Sequence, residues 1–120
     1  MRIEGTKNTP GIVIEKGLFE IKGRAIPEDA HEFFSVIHNE MKEFSENITG
    51  KTEIRFHLEY INSGSKKNIS SILGQFNDMY LKGKDITIIW HYDYDDESML
   101  ELGNDFRSML EVPFKIIEVN

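Results

Sequence analysis

Two segments of alternating polarity, each followed by a segment with helical spacing, constrain the fold of this chain most. Residues 54–60 alternate apolar and polar side chains, and in residues 86–92 the positions of Ile86, Ile88, Trp90 and Tyr92 alternate with those of Thr87, Ile89 and His91. Both segments predict half-buried strands. The segment between them predicts an amphipathic helix, because its apolar residues recur at helical spacing: Ile69, Ile72, Leu73, Phe76 and Tyr80. A strand–helix–strand unit needs a right-handed crossover, so the two strands are expected to be parallel.

The flanking segments extend this pattern in both directions. A β-hairpin is predicted where two short apolar runs flank Lys16-Gly17. One further helix is expected to open with Pro27 in its first turn, and another is expected to run from residues 95–97 until Pro113 ends it, ahead of a last strand. The predicted fold class is therefore α/β, a two-layer sandwich formed by residues 1–120 as one domain. Its mixed five-stranded sheet comprises the N-terminal hairpin and three strands joined by helical crossovers, with helices mainly on one face.

Composition narrows the classes of function. The net charge of −7 argues against nucleic acid and anionic membranes as partners, since both require a basic surface. The chain has no cysteine, which excludes disulfides and thiol catalysis and is compatible with a reducing compartment. No apolar run approaches the ~20 residues that a membrane helix needs. We therefore expect a cytoplasmic protein without a cofactor, whose partners are proteins or small molecules.

A cluster of hydroxyl side chains lies where the central strand meets its helix, in residues 60–67. The first turn of a helix has unpaired backbone N–H groups and the positive end of the helix dipole, so it favours an anion. Phosphorylation there would add roughly −1.5 to −2 charges and alter any contact surface. A simpler interpretation is that Asn62, Ser63 or Ser65 only caps the helix.

At this point the residues resemble the SiaC family of bacterial regulatory phosphoproteins. The resemblance extends from the N-terminus to the last strand, and the order and spacing of its pieces make it specific. The pieces are Gly5-Thr6, Thr9-Pro10, Gly23, Pro27-Glu28-Asp29-Ala30, Phe33-Phe34, Tyr60-Ile61-Asn62-Ser63-Gly64-Ser65, Lys67, Trp90-His91-Tyr92, Asp95-Asp96-Glu97-Ser98-Met99, Gly103, Asp105-Phe106 and Pro113-Phe114.

The resemblance implies a non-catalytic phosphoswitch in a partner-switching pathway, with a fold similar to STAS domains. A cognate serine/threonine kinase would phosphorylate the protein, and a metal-dependent serine/threonine phosphatase would reverse the reaction. The unphosphorylated form would bind a downstream effector, which is a diguanylate cyclase in the best-known systems.

The resemblance also assigns candidate residues. Ser63 is the expected phosphoacceptor, where the family typically has Thr, and Ser65 is the second choice. Gly64 replaces a common Ser and is expected to loosen the loop. Asn62, Gly64, Lys66 and Lys67 would surround the phosphate. The expected partner interface comprises Tyr60, Ile61, Asp95 and Asp96.

A second class of function, a small enzyme or a ligand- or metal-binding module, rests on the acidic run of residues 93–97 and on the predicted open sheet face. That face would carry Arg55, His57, Glu59 and His91. An EF-hand is excluded, because Ser98 and Asn104 stand where the loop needs Gly and Glu. Helix capping, or recognition of a basic partner, explains the acids better. The only catalytic constellation available joins Ser63, His57 and Glu59.

Overall fold

A computed structural model describes residues 1–120 as one mixed sheet of six strands with three helices. The strands follow each other in the sheet in sequence order; β1 to β3 are antiparallel, and β3 to β6 are parallel. The elements are β1 (Arg2–Ile3), β2 (Gly11–Glu15), β3 (Leu18–Ala25), α1 (Ala30–Glu46), β4 (Thr52–Ile61), α2 (Ser63–Leu81), β5 (Ile86–Asp93), α3 (Glu97–Ser108) and β6 (Phe114–Val119).

The prediction of five strands was wrong by one, because the sheet also contains β1. This strand pairs Arg2 with Val13 and Ile3 with Ile12, and the Met1 ammonium group donates to the Ile14 carbonyl at 2.6 Å. A strand of two residues is too short to show an alternation of polarity, so periodicity could not reveal it. The hairpin was predicted correctly, and Gly17 adopts the positive φ of 82° that its turn requires.

The sheet has one covered face and one open face. The alternate side chains of β2 to β5 that face the helices are almost fully buried: Ile12, Ile14, Phe19, Ile21, Ile54, Phe56, Leu58, Ile86, Ile88 and Trp90. They form one core with the apolar faces of α1, α2 and α3. On the other face, Arg55, His57 and His91 are half-buried and Glu59 is exposed, which confirms the predicted open face.

Two helix boundaries differ from the sequence-based expectation. Helix α1 begins after Asp29, whose carboxylate accepts a hydrogen bond from the Glu32 N–H at 3.0 Å, so Pro27 precedes the helix. Helix α3 ends at Ser108, well before Pro113. The chain leaves the helix there because the Asn77 side-chain oxygen on α2 accepts hydrogen bonds from the next free N–H groups, those of Glu111 and Val112. In both places a side chain, rather than a proline, sets the boundary.

Candidate functional site

All three helices begin at the same edge of the sheet. Strands β3, β4 and β5 are parallel neighbours, so their carboxyl ends lie side by side and α1, α2 and α3 start there together. Asn62, at the end of β4, connects two of these junctions. Its backbone N–H donates to the Ala25 carbonyl at 3.0 Å, and its side-chain amide donates to the Pro27 carbonyl at 2.9 Å. The residues before α1 and α2 are therefore held together.

The hydroxyl cluster at the start of α2 contains one accessible and one buried serine. Asn62 is the N-cap, because its side-chain oxygen accepts from the Ser65 N–H at 2.9 Å. Ser63 is the first helical residue; it is exposed, and its hydroxyl has no hydrogen bond within the chain. Ser65 is fully buried, and its hydroxyl also has no partner. Neither serine is needed to cap the helix.

Gly64 does not loosen a loop, contrary to expectation, because it is the second residue of α2. A Cβ atom at this position would lie 2.9 Å from the Cβ of Ala30, so the glycine lets the first turns of α1 and α2 pack closely. Asn68 strengthens the same contact: its amide donates to the Gly64 carbonyl at 2.9 Å, and its oxygen lies 3.0 Å from Nε2 of His38 on α1. The turn that carries Ser63 is thus well supported.

The electrostatics of this first turn favour an anion. The N–H groups of Ser63 and Gly64 have no partner, because the cap satisfies only that of Ser65. The first turn contains no acidic residue, and Lys66 and Lys67 follow it, both exposed. An acidic residue would complement the positive end of the helix dipole, but this turn has none. The two lysines add positive charge near that end, which is unfavourable, so an added negative charge would be stabilising here.

The four residues expected at the partner interface lie together in a groove at this edge of the sheet. The groove encloses about 510 Å³, and we call it the Tyr60 groove. Ser63 is not among its lining residues, although it is only three positions from Tyr60 in the chain. The lining residues are Arg24, Glu59, Tyr60, Ile61, Asp93, Asp95, Asp96, Ser98 and Met99.

Arg24 is a groove residue that sequence reasoning missed. Its guanidinium lies over the Tyr60 ring, 5.1 Å from the centroid, and its Nε is 3.5 Å from a Glu59 carboxylate oxygen. A bulge after Gly23 shifts the register, so that Leu58 pairs with Gly23 and Tyr60 pairs with Arg24. Strand periodicity assumes continuous pairing, and it therefore contained no signal for this contact.

The histidines of the open face do not form a catalytic group with Ser63. His57 Nε2 donates to Asp93 Oδ1 at 3.0 Å, while Glu59 pairs with Arg24. The proposed constellation of Ser63, His57 and Glu59 is therefore not assembled. The rings of His57 and His91 are 5.9 Å apart on adjacent strands. Burial lowers the pKa of His91, and the neighbouring His57 lowers it further. No group of three or more His, Asp or Glu side chains is arranged to hold a metal ion.

Comparison with known proteins identifies the class of this chain. The sequence profile of the SiaC family of regulatory phosphoproteins matches residues 3–119. The chain belongs to the SiaC family. It is therefore a regulatory protein rather than an enzyme. Among curated proteins, it is 29% identical to an uncharacterized protein of Pseudomonas aeruginosa (strain UCBPP-PA14), over 97% of this chain and 94% of the relative.

Solved structures of SiaC from Pseudomonas aeruginosa have the same fold. The chain is 28% identical to SiaC in the complex in which it is the activator of the diguanylate cyclase SiaD, with a TM-score of 0.92 over 99% of both chains. It is 26% identical to apo-SiaC, with a TM-score of 0.86 over 98% of this chain and 97% of the other. As for membranes, none of the three helices combines the length and apolar character needed to cross a bilayer.

Proposed function

We propose that this protein is a phosphoswitch that binds and activates a diguanylate cyclase when Ser63 is unmodified, and releases the enzyme when Ser63 is phosphorylated. One observation carries the first half of this proposal. The fold matches SiaC in its activator complex with a diguanylate cyclase, over nearly the full length of both chains. As in STAS domains, to which we compare the fold, the modified hydroxyl would lie where a strand meets a helix.

The surroundings of Ser63 support its role as phosphoacceptor. Its side chain is exposed, free of hydrogen bonds and held on a turn that α1 supports. Ser65, the second candidate, is fully buried, so a kinase could reach it only if the start of α2 unfolded. We therefore propose Ser63 as the single site of modification. A cognate serine/threonine kinase would add the phosphate, and a metal-dependent serine/threonine phosphatase would remove it.

The physical effect of the phosphate explains the direction of the switch. A surface that packs against the cyclase excludes water, and a phosphate with roughly two negative charges placed there would lose its hydration without a compensating partner. The penalty can reach several kcal/mol, which corresponds to about a thousandfold loss of affinity. In the free protein the phosphate would meet the unpaired N–H groups of Ser63 and Gly64, with Lys66 and Lys67 nearby.

The first test maps phosphate in protein purified from its own host, before and after treatment with candidate kinases and ATP. Tandem mass spectrometry should find phosphate on Ser63, and none should remain in Ser63→Ala. Phosphate on Ser65 in the wild-type protein would contradict the choice of acceptor. An absence of phosphate under every condition would reject the phosphoswitch.

The second test measures binding to the purified diguanylate cyclases of the host, and their production of cyclic di-GMP. The unmodified protein should bind one of them and raise its rate, whereas Ser63→Glu should weaken binding by at least about tenfold. Ser70→Glu is the matched control, because it adds the same charge at an exposed position farther along α2. If both variants lost binding equally, net charge rather than the junction would be responsible.

A further inference from the structure

The Tyr60 groove combines an excess of negative charge with an exposed aromatic ring. Four carboxylates line it, those of Glu59, Asp93, Asp95 and Asp96, against the single guanidinium of Arg24. Tyr60 remains 56% exposed even with Arg24 over its ring. Tyrosine is among the residues that carry most of the binding energy in protein interfaces, and it often meets arginine there. The groove therefore has the charge and the exposed aromatic surface to receive a basic side chain of a partner protein.

The carboxylates of the groove are not equivalent. Glu59 pairs with Arg24, Asp93 accepts a hydrogen bond from His57, and Asp96 caps α3 by accepting from the Met99 N–H at 3.0 Å. Asp95 is exposed and has neither a hydrogen bond nor an ion pair within the chain. It is the one groove carboxylate with no partner inside the chain, whereas each of the other three already uses one oxygen.

Arg24 indicates which basic side chain the groove suits. The Arg24 guanidinium already lies over the face of Tyr60 and beside the carboxylate of Glu59, so the surface accommodates a planar cation that stacks on an aromatic ring and pairs with an acid. Lysine is a compact charge without a planar face, and it fits such a site less well. A second guanidinium beside Arg24 would find Asp95 available.

We infer that the Tyr60 groove binds an arginine of the effector cyclase, which pairs with Asp95 and packs against Tyr60. This inference rests on the proposed function and adds the chemistry of recognition to it. The opposite charges would also steer the cyclase to this edge of the sheet, where Ser63 lies. Ser63 does not line the groove, so the phosphate would be desolvated in a neighbouring part of the same interface, beside the arginine contact.

The experiment measures the affinity of the unphosphorylated protein for its cyclase. Asp95→Asn should weaken binding by at least about tenfold, because it leaves the arginine without its ionic partner. Tyr60→Ala should weaken binding, whereas Tyr60→Phe, which keeps the ring, should bind much as the wild type does. Glu97→Gln is the matched control: it removes one negative charge two positions from Asp95 and outside the groove. We expect it to change affinity by less than about threefold, as a screened surface charge should.

The arginine itself is identified on the cyclase. Each exposed arginine near the binding surface is replaced by lysine and by alanine, and each is combined with Asp95→Asn. One arginine should show coupling: its replacement should weaken binding to the wild type strongly and to Asp95→Asn very little. If no arginine couples to Asp95, the inference is wrong.

The remaining outcomes separate this inference from the function on which it rests. If the wild type binds the cyclase and Asp95→Asn binds equally well, the groove is not the contact and the phosphoswitch stands. Equal losses for Asp95→Asn and Glu97→Gln would indicate a diffuse field and would overturn the specific pair. If Asp95→Asn slows phosphorylation of Ser63 but keeps cyclase binding, the groove serves the kinase instead. A wild type that binds no cyclase would reject both proposals.

Discussion

The start of α2 differs from the starts of α1 and α3, although all three lie at one edge of the sheet. Asp29 and Asp96 cap α1 and α3 with carboxylates, and each helix adds a glutamate in its first turn, Glu32 or Glu97. Helix α2 is capped by the neutral side chain of Asn62, and no acid follows. Two of the helices thus contain their own negative charge, and the third does not.

This difference indicates where an added anion has an effect. A phosphate at α1 or α3 would meet carboxylates already in place, whereas a phosphate on Ser63 would supply the charge that α2 lacks. The neutral cap also has a structural reason. The amide of Asn62 donates to the Pro27 carbonyl, and a carboxylate cannot donate that hydrogen bond. The contact between the junctions of α1 and α2 therefore requires a cap without a negative charge.

The largest expected effect comes from replacing that cap. Asn62→Ala removes the cap of α2 and the bond to Pro27, and we expect it to lower the free energy of unfolding by about 2 kcal/mol in urea denaturation. Asn62→Asp should also destabilise the protein, because it keeps the cap but loses the donor. The reverse exchange, Asp96→Asn, should cost less than about 1 kcal/mol, since asparagine caps as well as aspartate. Equal losses for Asn62→Asp and Asp96→Asn would break the comparison between the helix starts.

A smaller effect is expected from the close packing of α1 on α2. Gly64→Ala places a methyl group against Ala30, and we expect a loss of about 1 kcal/mol or more in the free energy of unfolding. Gly74→Ala is the matched control on the same helix, because a Cβ there has no neighbour within 4 Å. That substitution should raise stability by about 0.5–1 kcal/mol, since alanine favours helix. A stabilising Gly64→Ala would mean that the turn carrying Ser63 has room to relax.

The smallest effect tests the missing charge directly. Ser63→Glu should raise the free energy of unfolding by about 0.3–1 kcal/mol, because it places an acid in the first turn of α2. Its thermal midpoint should exceed those of Ser63→Ala and Ser70→Glu, and the gain should shrink at high salt. The same variant is expected to bind the cyclase more weakly. If Ser63→Glu lowered stability instead, the first turn of α2 would not favour an anion.

Much of the fold followed from local patterns. The alternation in β4 and β5 and the helical spacing of α2 predicted the parallel unit at the centre, and Lys16-Gly17 predicted the hairpin. Errors arose where a local pattern is short or interrupted. Strand β1 has two residues, the Gly23 bulge shifts one register, and the boundaries of α1 and α3 depend on side-chain hydrogen bonds rather than on prolines.

The roles of the candidate site residues stay predictions, and only the structure shows how those residues are arranged. Sequence reasoning assigned Ser63, Asn62 and the four interface residues, and the structure brings those four into one groove. It could not choose among Asn62, Ser63 and Ser65 as the cap, because asparagine and serine can both accept the hydrogen bond. Burial and geometry made that choice: Asn62 caps the helix, Ser65 faces the interior, and Ser63 remains exposed.

The sequence by itself determined the elements from β2 onward, their order and the layer in which each lies, because polarity along the chain follows the period of the strand or helix that it forms. The tertiary structure alone decided that Arg24 covers Tyr60, that Gly64 must fit against Ala30, and that Asp95 has no partner in its chain. These facts depend on which atoms meet when separate elements pack. The distances between such atoms are not encoded in any local pattern of residues.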